Sequence, residues 1–127
     1  MKIIGMFLTL SLMAWAQVLW DQYDAALYQR AKESGKLVMV EVMSPNCKYC
    51  RYMDEEVFSD EEVADVLNRD FLSVKVDKND PVPFKTAMVP SFFFVDPDSG
   101  EVVKKVIGAW AKGDFLQVLN EVKGGRP

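Results

Sequence analysis

The only two cysteines of this 127-residue chain stand in one short motif, Cys47-Lys48-Tyr49-Cys50. Three residues apart at the start of a helix, two thiols are neighbours within disulfide reach. The first would sit at the helix N-terminus, where unpaired backbone N–H groups and the helix dipole stabilise a thiolate and lower its pKa. Lys48 adds positive charge nearby. Cys50 lies deeper and is better suited to resolving a mixed disulfide than to starting one. The chemistry this supports is thiol–disulfide exchange, with Cys47 attacking and Cys50 resolving. Two plainer readings compete with it. One is a static cross-link, although closing so short a loop gains little. The other is half of a metal site, since two thiolates with Met43, Met53 or Met88 would suit Cu(I), which prefers soft ligands.

Composition narrows the field further. The chain has no His, which removes Ser-His-Asp and Cys-His catalysis and any His-ligated zinc or haem iron. Two Cys cannot supply a four-thiolate zinc or iron–sulfur site within one chain. Fifteen basic residues face 19 acidic ones, a net charge of −4 that argues against a nucleic-acid partner bound by phosphate neutralisation. Half the residues are apolar, as in a folded domain of ordinary size.

The elements that must position the thiols follow from periodicity. Tyr23, Leu27 and Ala31 recur four apart, which predicts a helix over Asp21–Ser34 stopped by Gly35. Leu37–Met43 is mostly apolar and reads as a buried strand, followed by the turn Ser44-Pro45-Asn46. A helix from Cys47 would place Cys50, Met53 and Val57 on one face. Ser59-Asp60-Glu61-Glu62 has the form of a capping box, opening a helix with Val63, Val66 and Leu67 inside. Phe71–Asp77 alternates as a strand, and 78–89, with Pro81 and Pro83, reads as a loop or broken helix. Ser91–Val95 and Val102–Ile107 form a hairpin around Asp96-Pro97-Asp98-Ser99-Gly100. Asp114–Val122 closes the chain as a helix with Phe115, Val118, Leu119 and Val122 on its inner stripe. An early crossover requires a parallel strand pair and the hairpin an antiparallel one, so the sheet should be mixed.

Residues 1–16 read as an export leader. Lys2 is the positive start, Ile3–Met13 the apolar run, and Ala14-Trp15-Ala16 a small-x-small cleavage pattern. Residues 17–127 then form one domain in the periplasm, an oxidising compartment where a cysteine pair can cycle. The alternative is an uncleaved anchor, because Val18, Leu19 and Trp20 extend the apolar run to about the 20 residues that span a bilayer.

Leu37–Met53 followed by Val89-Pro90-Ser91-Phe92-Phe93-Phe94-Val95-Asp96 resembles the thioredoxin superfamily over essentially all of residues 17–127. The likeness extends to exported bacterial domains such as the C-terminal domain of the membrane thiol:disulfide interchange reductase, where a similar sequence follows the active-site helix as Val57-Phe58-Ser59-Asp60 does here. The resemblance implies an α/β thioredoxin fold, a mixed central sheet flanked by helices. It implies a cis Pro90, with the backbone of Val89 pairing with an extended substrate strand. A strand-start proline is the plainer reading. Glu41, six residues before Cys47, matches the family's buried acid, which accepts a proton from the resolving thiol. Its alternative is a carboxylate facing solvent or paired with a lysine. Asn46 replaces the Trp common in thioredoxins, and 77–90 is shorter, so substrate choice is not inherited.

Among other candidates, Lys48 and Tyr49 lie between the cysteines as substrate contacts. Tyr52, Phe84 and Trp110 would flank a groove or pack in the core. Asp54-Glu55-Glu56 and Asp60-Glu61-Glu62 read as solvated helix faces, and Gly124–Pro127 as a frayed tail. The expected function is periplasmic dithiol–disulfide exchange with protein substrates in the reducing direction. It needs no metal or organic cofactor and would be recycled by a membrane redox partner; the protein is expected to be a monomer. The competing class is a thioredoxin-like binding module holding Cu(I) or a partner protein without turnover.

Overall fold

A computed structural model describes residues 17–125, together with Gly5. The leader proposed for residues 1–16 falls outside the described residues, Gly5 excepted, as do the last two positions of the chain. Among the described residues no helix is long and apolar enough to cross a membrane.

The chain order is β1 (Trp20–Asp21), α1 (Leu27–Ser34), β2 (Leu37–Met43), α2 (Lys48–Tyr52) running into a π-helical turn (Met53–Val57), α3 (Glu61–Asp70), β3 (Phe71–Asp77), β4 (Ser91–Val95), β5 (Val102–Ile107) and α4 (Lys112–Gly124). The five strands form one sheet in the order β1-β3-β2-β4-β5. β3 runs parallel to β1 and β2, while β4 is antiparallel to both β2 and β5. The mixed sheet follows from the connections: the α2–α3 crossover returns the chain in the same direction, and the tight 96–100 turn reverses it. This is the thioredoxin arrangement.

Alternation along the strands sorts two apolar layers. Leu37, Met39, Phe92 and Phe94 face α3, α4 and the π turn, where they pack with Met53, Leu67 and Phe115. Val38, Val40, Val74 and Phe93 face the other way, onto Leu27 and Ala31 of α1. Phe58, Phe92 and Phe115 meet edge to face with centroids 5.0–6.1 Å apart, fixing the active-site helix against the sheet.

Several sequence expectations need correction. The first helix begins at Leu27, not Asp21, because Trp20–Asp21 is claimed by β3 and Asp24 folds the chain into a turn, its side chain accepting the Ala26 N–H at 3.0 Å. Arg30 then pairs with both Asp21 and Asp24, tying strand to helix. Gly35 ends α1 in the left-handed conformation (φ 68°) as anticipated. The cap of α3 is Asp60 rather than Ser59, its carboxylate accepting the Val63 N–H at 3.1 Å. Residues 78–90 contain turns and bends but no helix. α4 runs from Lys112 to Gly124, so Gly124 belongs to the helix rather than to a loose tail. Phe84 is buried in the α1 layer beside Tyr23 and Phe93, which removes it from any groove.

Candidate active site

The sheet gathers the site at one of its ends. β2 finishes at Met43, and the turn that follows delivers Cys47. β4 begins at Ser91, which pairs with Val42. The Cys47 turn and the Val89-Pro90 segment therefore leave the sheet at the same end, from neighbouring strands. Asn46 takes a left-handed conformation (φ 60°), and this turn lets Cys47 become the N-cap of α2. Trp, common here in thioredoxins, would adopt that conformation less readily than Asn.

Cys47 and Cys50 form a disulfide, with their Cα atoms 5.2 Å apart. Cys47 Sγ also accepts the Cys50 backbone N–H at 3.1 Å. That hydrogen bond takes up one of the orphan donors of the helix start and is the same interaction that would stabilise a thiolate on Cys47. Cys47 is half-buried, whereas Cys50 is only 4% exposed. The asymmetry suits an attacking outer sulfur and a resolving inner one. Lys48 and Tyr49 between them are exposed, Tyr49 at 60%.

The Val89–Pro90 peptide is cis, Pro90 is buried and Val89 is half-buried. Pro90 is latched to the far strand by its carbonyl, which accepts the Gly108 N–H at 2.8 Å. Behind the loop, Thr86 and Ser91 form a clamp. Their hydroxyls are 2.8 Å apart, and both donate to the Met88 carbonyl, at 2.9 and 2.6 Å. Neither residue was singled out in the sequence, where two hydroxyls five apart carry no distinct signal.

Glu41 sits in the central strand, 1% exposed, on the same face as Leu37 and Met39, which pack against the π turn. Neither carboxylate oxygen has a hydrogen-bond partner. Burial pushes its pKa up to about 8; the nearby Lys75 ammonium works against this and the Asp54 carboxylate adds to it. The solvent-facing alternative is thereby removed. Lys75 is its cross-strand neighbour but gives its hydrogen bond to Asp54 at 2.6 Å. Asp54, Glu55 and Glu56 are exposed, as a solvated face requires, and Asp54 in addition pairs with Lys75 of β3.

Of the methionines considered for copper, Met53 is committed to the core, where it is fully buried and its sulfur accepts the Trp110 backbone N–H at 3.4 Å. Among the described residues no group of three or more His, Cys, Asp or Glu could hold a metal. A cavity lined by Leu37, Asp96, Val103, Lys104 and Val122 opens at the opposite end of the sheet and touches none of the site residues.

Comparison with known proteins agrees with this geometry. The chain is 31% identical over 108 residues to the uncharacterized protein B0495.5 of Caenorhabditis elegans, covering 84% of this chain and 13% of that protein. It is 33% identical over 67 residues to spermatogenesis-associated protein 20 of Homo sapiens, covering 53% and 8%. The chain thus spans only a small fraction of the length of these relatives. Among solved structures, a thioredoxin from Thermus thermophilus superposes with a TM-score of 0.70 at 30% identity, over 86% of this chain and 91% of that one. A DsbH oxidoreductase superposes with a TM-score of 0.66 at 15% identity, over 91% and 90%. Residues 8–89 match the family Thioredox_DsbH, described as a protein of unknown function, DUF255. With a thioredoxin fold, a bridged Cys-x-x-Cys pair at a helix start and this match, the chain belongs to the Thioredox_DsbH (DUF255) family of thioredoxin-like proteins.

Proposed function

We propose that the protein exchanges disulfides with protein substrates in the periplasm, working as a reductant. The observation that carries this reading is the Cys47–Cys50 bridge with its outer sulfur at the N-cap of α2. In the dithiol form, the Cys47 thiolate attacks a substrate disulfide and expels one substrate sulfur as thiolate. Cys50 gives its proton to Glu41 and attacks Cys47 Sγ, which releases the second substrate sulfur and regenerates the bridge. The backbone of Val89 aligns the substrate strand, flanked by Lys48 and Tyr49. Two electrons from a membrane redox partner restore the dithiol. Export rests on the leader pattern of residues 1–16, and the reducing direction on the likeness to exported reductase domains.

Catalytic reduction of insulin disulfides by the purified protein, with loss in Cys47→Ser, tests the activity. Equilibration with glutathione tests the direction, with a potential expected near the thioredoxin value of about −270 mV rather than the strong-oxidant value of about −120 mV. Stoichiometric copper retention without turnover would replace this reading with the binding module.

A further inference from the structure

The Lys75 ammonium is held from two sides. Asp54 accepts its hydrogen bond at 2.6 Å, and the Trp20 ring lies beneath it with the centroid 4.6 Å away. Lys75 stands opposite Glu41 in the parallel β2–β3 register, yet both Glu41 oxygens remain without a partner. Asp54, Lys75, Trp20 and Phe58 line a surface cavity of about 350 Å³ beside them. The fold thus places a lysine next to a buried carboxylate and then diverts it to a second carboxylate at the surface.

We propose that Asp54 is a positioning residue for the exchange reaction: it holds Lys75 at this cavity, out of hydrogen-bonding contact with Glu41, so that the Glu41 carboxylate stays basic enough to take the Cys50 proton. The inference rests on the reading of Glu41 as proton acceptor and adds a residue that acts through it. Direct contact with Lys75 would fix Glu41 as a charged and weakly basic carboxylate. Without any lysine, the burial penalty would act unopposed and push the carboxyl higher still, narrowing the pH range in which it is free to accept a proton. The charged groups facing Glu41 are Lys75 from β3 and Asp54 from the π turn; β4 presents Phe92 opposite it. In the resolving step the Cys50 S–H bond breaks and its proton moves to a Glu41 oxygen. The sulfur pair forms the bond to Cys47, and the substrate sulfur departs with the electrons of the broken S–S bond. The proton on Glu41 is released to solvent before the next cycle.

The test is a titration of the Glu41 carboxyl by carbon NMR in the disulfide form, together with the pH profile of single-turnover insulin reduction by the prereduced full chain. Asp54→Asn should lower the Glu41 midpoint by about one pH unit, and Lys75→Met should raise it. Asp54→Glu should restore the parent value. Opposite shifts are what a packing role would not produce, and either midpoint failing to move as stated overturns the proposal. If Glu41→Gln retains the parent inflection in the turnover profile, the reading of Glu41 itself falls. If Glu41→Gln abolishes that inflection but Asp54→Asn leaves it in place, only the role of Asp54 is overturned.

Discussion

Glu41 and Lys75 are cross-strand neighbours in the sheet, but the lysine bonds Asp54 and leaves the Glu41 carboxyl bare in the protein interior. An acid so placed links folding to pH.

The Glu41 carboxyl is raised from 4.5 to about 8, chiefly by burial. Within that window the folded chain keeps a proton that the unfolded chain has released. Stability therefore falls as pH rises through the window, by up to about 1.4 kcal/mol per unit from this group, and levels off above it. Urea unfolding of the oxidised protein across the window should show this slope, and Glu41→Gln should flatten it.

The N-cap position of Cys47 bears on its acidity once the bridge is reduced. Its alkylation by iodoacetamide should titrate about one unit or more below the ordinary thiol value of about 8.5. Cys50, buried behind it, should react much more slowly at every pH. Mass mapping of the alkylated reduced protein separates the two.

Thr86→Val removes one of the two hydroxyls that clamp the Met88 carbonyl. With the Val89 backbone less firmly presented, KM for insulin should rise about five-fold, the equivalent of one ordinary hydrogen bond, with kcat little changed. A matching fall in kcat would place the clamp in the chemical step instead.

Asp60→Ala should cost about 1 kcal/mol, because the Val63 N–H loses its cap. The active-site cysteines are untouched, so thermal unfolding should shift while insulin reduction per folded molecule stays constant.

The strands and the thiol pair were readable in the sequence because both are local patterns. Leu37–Met43, Phe71–Asp77, Ser91–Val95 and Val102–Ile107 carry their apolar character over five to seven residues, and the structure gives each the same bounds. β1 was invisible, since two residues have no period and its partner β3 lies some fifty positions on. The π turn was hidden for another reason: Cys50, Met53 and Val57 keep the same inward face in either helix type. The Asp54–Lys75 pair joins residues that read separately as helix surface and strand. Glu41 was ambiguous because strand alternation names a face without saying what covers it.

β5 is an outer strand of the sheet, with Val102, Val103 and Ile107 about half exposed. An apolar strand with an unfilled side is a template on which another chain can pair. Lys104 and Lys105 interrupt it with two like charges, so that two copies approaching edge to edge would repel. Acetylation of both lysines would remove that repulsion and is expected to let the bare edge pair with a second copy.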